Sequence, residues 1–161
     1  MSISYRSCLA VCLLIAGVSL GSAAHASVAS QVKQQIQTIC KQADDAAGRR
    51  DINGAVAIYG DGSLQNAARQ GLTQLLALSQ SAQFSTRVAS VDVPSDNAFE
   101  ATVIVHQHFQ GLMKRRGRVA LAVSDAKVRE FWTKQTNRWV VLRVRVLSIQ
   151  RTLNSQPVSS F

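Results

Sequence analysis

The hydrophobic period of this chain changes once, near Gln80, and that change limits its fold more than any other feature. Before it apolar residues recur at steps of three and four; after it they alternate. Val28, Val32, Ile36, Ile39, Cys40, Ala43 and Ala47 form one face of an amphipathic helix ended by Gly48, with Arg49-Arg50 against the negative end of its dipole. Asp51 is placed to cap a short second helix through Ile52, Ala55, Val56, Ile58 and Tyr59. Gly60-Asp61-Gly62 breaks the chain, and Ser63 is expected to cap a third helix with Leu64, Ala68, Leu72, Leu75 and Leu76 inward. Strands follow at residues 84–93, 99–109, 119–134 (with a bulge expected near Ser124-Asp125) and 138–150. Helices segregated ahead of an antiparallel meander make an α+β fold. Three N-terminal helices pack on a curved antiparallel sheet of four or more strands, and the whole encloses a conical space.

Alternation assigns the two faces of that sheet. Phe99, Ala101, Val103, Val105, Gln107 and Phe109 are predicted to face the cone, and Glu100, Thr102, Ile104, His106 and His108 to face outward. Val119 and Leu121 are read as inward. In the last strand Val140, Leu142, Val144 and Val146 are read as inward, and Trp139, Val141, Arg143, Arg145 and Leu147 as outward. None of these inward side chains can transfer a proton. Tyr59 and Gln107 are the polar groups expected at the rim, so the pocket candidates are Tyr59, Gln107, Phe99, Val103, Leu142 and Val144. The outward set Trp139, Val141, Arg143, Arg145, His106 and His108 mixes aromatic, aliphatic and arginine side chains, as protein interfaces do. It is the expected surface for a homodimer or a partner protein.

The N-terminus reads as an export signal. Arg6 precedes an apolar run over residues 8–18, and Ala24-His25-Ala26 supplies the small residues a signal peptidase accepts. The run is shorter than the roughly 20 apolar residues a membrane span needs. Residues 1–26 are therefore expected to be removed, leaving a domain over 27–151, a loose polar tail over 152–161 and no transmembrane segment. The expected location is the periplasm or the extracellular space. Removal leaves 135 of the 161 residues, one domain in size, and 17 of the 18 Lys and Arg against 9 Asp and Glu. That balance favours anionic partners such as an envelope surface. Lys114-Arg115-Arg116-Gly117-Arg118 is the dense charge run, but it lacks interleaved aromatics, which disfavours nucleic acid as a partner.

Cys8 and Cys12 leave with the signal, and Cys40 falls on the apolar stripe of the first helix. The mature chain thus has no intrachain disulfide and no cysteine-based metal site. His106-x-His108 could supply two zinc ligands, but its face points away from the cone, so no metal is expected. The chain contains neither a phosphate-binding glycine loop after a strand nor a serine nucleophile elbow, and no cofactor is expected.

Two stretches resemble the nuclear transport factor 2-like superfamily, the cone fold of ketosteroid isomerase and SnoaL-like polyketide cyclases. Residues 50–59, Arg-Asp-Ile-Asn-Gly-Ala-Val-Ala-Ile-Tyr, are similar to its second helix. Residues 128–134, Val-Arg-Glu-Phe-Trp-Thr-Lys, with 137–142, Asn-Arg-Trp-Val-Val-Leu, are similar to its closing hairpin. Isomerase members use a first-helix tyrosine and an aspartate shortly after the second-helix aromatic. Residues 27–48 contain no tyrosine, and after Asp61, which sits in a glycine turn, the next acid is Asp92. The resemblance alone does not give a function, since the superfamily holds both enzymes and binding proteins. With the isomerase roles unfilled and an export signal present, the expected function is an exported, non-enzymatic domain binding a small apolar ligand or a partner protein. Its alternatives are a cyclase- or dehydratase-type enzyme using other pocket residues, or an accessory subunit of an envelope transport or secretion complex.

Overall fold

The computed structural model describes residues 19–94, 97–115 and 117–160, with side chains from residue 28 onward except that of residue 115. Helices α1 (Ser19–Gly48), α2 (Ile52–Val56) and α3 (Gly62–Leu78) precede five strands. These are β1 (Ser79–Asp92), β2 (Glu100–Arg115), β3 (Arg118–Gln135), β4 (Arg138–Leu153) and β5 (Gln156–Pro157). They form one antiparallel sheet in chain order. The apolar run over residues 8–18 lies outside the described residues. The backbone over residues 19–26, which carries Ala24-His25-Ala26, is helical and continuous with the rest of α1. Among the described residues no helix is long and apolar enough to cross a membrane.

Helix ends follow side-chain reach. Asp51 caps α2 by accepting from the Gly54 N–H at 2.9 Å. For α3 the cap is Asp61 rather than Ser63: its carboxylate accepts from the Leu64 N–H at 2.9 Å, because the helix already begins at Gly62. Arg50 ends α1 in the left-handed region at φ 62°. Its guanidinium donates to the Leu76 carbonyl at 2.9 Å, so it satisfies the C-terminus of α3 and not that of its own helix.

The apolar stripe of α1 (Val32, Ile36, Cys40 and Ala43) packs on Val88, Val103, Val105, Val128 and Trp132 of the sheet. Burying Ile36 completely is worth about 1.5–3 kcal/mol. The polar flank of α1 closes the free edge of β1. Asp44 accepts from the Thr86 N–H at 2.6 Å and the Thr86 hydroxyl at 3.0 Å. Gln37 accepts from the Val88 N–H at 2.7 Å and donates to the Thr86 carbonyl at 2.8 Å. These backbone groups would otherwise invite another strand, and the helix takes them first.

Strand pairing corrects several face assignments. β3 pairs with β2 without a shift from Glu100↔Thr133 to Arg115↔Arg118, so the bulge expected near Ser124-Asp125 is absent. One alternation runs the whole length of β3. It turns Ala122, Ser124, Ala126, Val128, Glu130 and Trp132 inward, while Val119 and Leu121, expected inside, are exposed. Along β3 the irregularities fall in its other partner, β4, where Leu142 and Leu147 are extra residues against β3. Each added residue inverts the alternation. Arg143 and Arg145 therefore face outward and Val144 and Val146 inward, as the pattern predicts. On the other side of Leu142, Trp139 and Val141 turn into the core, at 3% and 0% exposure, instead of forming an outer face. The Trp139 indole N–H donates to the Gln35 side chain at 2.9 Å, tying β4 to α1.

The segment read as a loose tail is partly ordered by pairing. Thr152 and Leu153 pair with Pro157 and Gln156 of β5. The Asn154 N–H donates to the Leu121 carbonyl and its side chain accepts from the Leu121 N–H, at 2.8 Å and 2.9 Å. The hairpin turns through Asn154 and Ser155 at positive φ, 49° and 66°, the twist that a two-residue hairpin turn needs.

Candidate functional site in the cone

The cone opens between α1, the α2–α3 connection and the inner faces of β1 to β4. Its cavity holds about 280 Å³, at the small end of ligand sites. Much of the wall is small or apolar: Ala43, Ala47, Ala55, Val56, Leu72 and Phe84. Phe84 and Phe109 meet with ring centroids 5.3 Å apart. Into this wall the structure places two carboxylates, Glu130 and Asp44, with Tyr59, Gln107 and Cys40 beside them.

Glu130 is the central group. Its neighbours on the inward face of β3 are Val128 and Trp132, and it is 1% exposed. The Trp132 indole N–H donates to its Oε2 at 2.9 Å, and the Gln107 amide donates to its Oε1 at 3.3 Å. Among the described residues no cation pairs with it. Burial pushes its pKa up to about 7, against the opposing pull of the Trp132 hydrogen bond and with a smaller push from the charge of Asp44. Near neutral pH it thus exists in both protonation states, the condition for a group that gives or takes a proton.

The groups around it are tuned in other ways. Burial also raises Asp44, although its hydrogen bonds to Thr86 favour the ionised form. Burial, and then the charge of Glu130, push the Tyr59 phenol up to about 12, so it stays neutral and can donate a hydrogen bond. Burial pushes the Cys40 thiol up as well, which leaves it un-ionised and a poor nucleophile.

The pocket candidates divide. Tyr59 and Gln107 line the cavity. Val103 is fully buried in the core behind it, and Val144 is paired with Glu130 on the inner face of β4 but 38% exposed. Leu142 sits on a bulge away from the cavity, and Phe99 is 63% exposed in the turn before β2, its N–H held by the Asn97 side chain. Of the outward candidates, His106, Arg143 and Arg145 are exposed, whereas His108, read as pointing away from the cone, borders the cavity while bonding Asp125 at 2.8 Å. Among the described residues no cluster of His, Cys, Asp or Glu could hold a metal ion.

Sequence pattern alone leaves the cone without a proton-transferring group, and Glu130 and Asp44 correct that. Asp125, Lys127 and Arg129 carry the signal that would have found Glu130. Three charged residues at alternate positions must face water, which turns 126, 128 and 130 inward without a bulge. For Asp44 the signal is its spacing from Gln37 and Cys40, which puts it on the sheet-facing side of α1.

No protein-family model matches the sequence, and no curated protein sequence matches it. Solved structures do superpose. A protein from Novosphingobium aromaticivorans assigned as a scytalone dehydratase matches with a TM-score of 0.59 at 9% identity, over 77% of this chain and 89% of that one. A type 2 hexachlorocyclohexane dehydrochlorinase, LinA, matches with a TM-score of 0.57 at 9% identity, over 82% and 92% of the two chains. These superpositions show the fold, the α+β cone that the resemblance to the nuclear transport factor 2-like superfamily implies. The intermembrane-space region of the chloroplast protein ARC6 superposes as well, with a TM-score of 0.54 at 16% identity over 74% of this chain and 96% of that one. The same fold therefore carries both enzyme-named proteins and an intermembrane-space region of a chloroplast protein, and identities this low transfer no residue roles. What distinguishes this copy of the fold is its own wall chemistry, with Glu130 on β3 and Asp44 on α1.

Proposed function

We propose that the chain is an exported cone domain that binds a small, largely apolar molecule and exchanges a proton with it through Glu130. The observation that supports this reading most is a carboxyl group on the cavity wall, 1% exposed, without a cationic partner and titrating near neutrality. Holding such a group apart from any counter-charge disfavours the folded state, and groups of this kind concentrate at functional sites. In the proposed arrangement Trp132 and Gln107 orient the carboxyl, Tyr59 donates a hydrogen bond to a carbonyl or hydroxyl oxygen of the ligand, and the alanine-rich wall excludes water. The test is a screen of small carbonyl and hydroxyl compounds by ligand-observed NMR, followed by proton–deuterium exchange at the bound ligand's acidic carbon. Glu130→Gln is expected to keep binding and to lower the exchange rate by at least a hundredfold, the scale of a general acid–base group. Exchange that survives the substitution overturns the reading.

A second reading is binding without chemistry. Val144, Val146 and Ile149 favour it, because they leave an apolar inner strip of β4 exposed at 38%, 56% and 42%. Tight ligands with no exchange in the wild-type protein would decide for this reading.

Export rests on Arg6, the apolar run and Ala24-His25-Ala26, and the mature protein is expected to begin at Ser27 with Cys12 removed. Intact-mass measurement on protein recovered from the periplasm or medium checks this. A retained leader, or acylation at Cys12, would end it.

A further inference from the structure

The outer face of the sheet carries an ordered band of cations. Strand register sets Arg87 opposite His106, His106 opposite Lys127, and Arg129 opposite Arg145. Arg143 lies one inward–outward period along β4 from Arg145, with its guanidinium 4.6 Å over the Phe131 ring. Like charges directly opposite on a sheet repel. Yet among the described residues none of these arginines or Lys127 forms an ion pair. Three of the described acids share this face: Asp125, one outward position from Lys127 on β3, is held by His108, and Glu100 and Asp92 sit at the far end. Next to the band is a shallow depression of about 400 Å³ bordered by Ser85, Arg87, His106 and Lys127 and by the paired His108 and Asp125. Ile104 and Phe131 interleave with the cations, half-buried.

We infer that this face is a docking surface for an anionic phospholipid bilayer. A broad sheet face with dispersed cations and interspersed apolar side chains matches a planar array of phosphate headgroups better than a single small anion. A twofold dimer through the same face would set its five Lys and Arg cations (Arg87, Lys127, Arg129, Arg143 and Arg145) against five more, since such an interface is self-complementary. The lipid surface supplies the missing negative charge and leaves the cone mouth on the opposite side of the sheet open to solvent.

The test is co-sedimentation of the mature protein with phosphatidylglycerol-containing vesicles and with pure phosphatidylcholine vesicles, across a salt series. Binding is expected for the anionic vesicles alone and weakens as salt rises. The triple variant Lys127→Gln, Arg129→Gln, Arg145→Gln is expected to bind about a hundredfold more weakly, and Arg145→Gln alone about fivefold, at the usual contribution per basic residue near an anionic leaflet. Lys114→Gln with Arg118→Gln removes charge at the exposed β2–β3 end and is expected to leave most of the binding intact. Equal losses in the two multiple variants would mean net charge alone acts, and would overturn the face. Absence of vesicle binding, binding only to a soluble polyanion, or a dimer that protects this face from solvent in hydrogen exchange would each overturn the proposal.

Discussion

Glu130→Gln is expected to stabilise the protein at alkaline pH while leaving it almost unchanged near pH 5. The carboxyl titrates near about 7 in the fold against 4.5 in the open chain. Between those two values the unfolded chain releases its proton first and so binds fewer protons than the native state. Stability of the wild type accordingly falls as pH rises through that window and levels off above it. The difference corresponds to about 3 kcal/mol, on the order of 10 °C in Tm for a domain of this size. Glutamine stays neutral, can accept from the Trp132 indole and can bond the Gln107 amide, so its curve lacks this fall. Asp44, also raised by burial, contributes in the same direction in both proteins, so the difference between the two curves reports Glu130 together with its coupling to Asp44. Thermal unfolding of both proteins from pH 5 to pH 9 provides the check. Parallel curves, or a variant less stable than wild type at pH 9, would place the carboxyl in water rather than in the wall.

Trp139→Ala is expected to cost about 3–5 kcal/mol, the range for deleting a buried aromatic side chain. The ring is 3% exposed in the main core with Val32, Ile36 and Trp132, and its N–H bonds Gln35 across the α1–β4 contact. Arg143→Ala, on the outer face, is expected to stay within about 0.5 kcal/mol. Urea midpoints measured with sedimentation velocity separate the two roles of this strand. A Trp139→Ala protein with an unchanged midpoint and a smaller sedimentation coefficient would return Trp139 to a subunit interface.

These two residues show what could be read in the sequence. Element order and type follow from the change of period at Gln80, because a helix and a strand bury different spacings. The cap at Asp51 was readable because capping is a local hydrogen bond. So was the inward face of β2, where Ala101, Val103 and Val105 alternate without interruption and are buried. The inward placement of Glu130 and Trp139 escapes the sequence pattern for one reason. A bulge is a property of two strands pairing, and it leaves little trace in either strand alone. The bulge expected in β3 lies instead in β4, at Leu142 and Leu147. A shift of one residue exchanged the faces around Trp139, and the bulge wrongly placed in β3 hid the inward run that carries Glu130.

The amino-acid sequence by itself determined the α+β order, the helix stripes and the basic balance. Each of these depends on residue type and local spacing. Tertiary structure decided which acids meet in the cone, how a carboxyl on β3 comes to titrate near neutrality, and which cations line up across the outer face. Those outcomes depend on desolvation and on strand register. Both arise only when residues tens of positions apart, such as Asp44 and Thr86 or Gln107 and Glu130, are brought within hydrogen-bond reach.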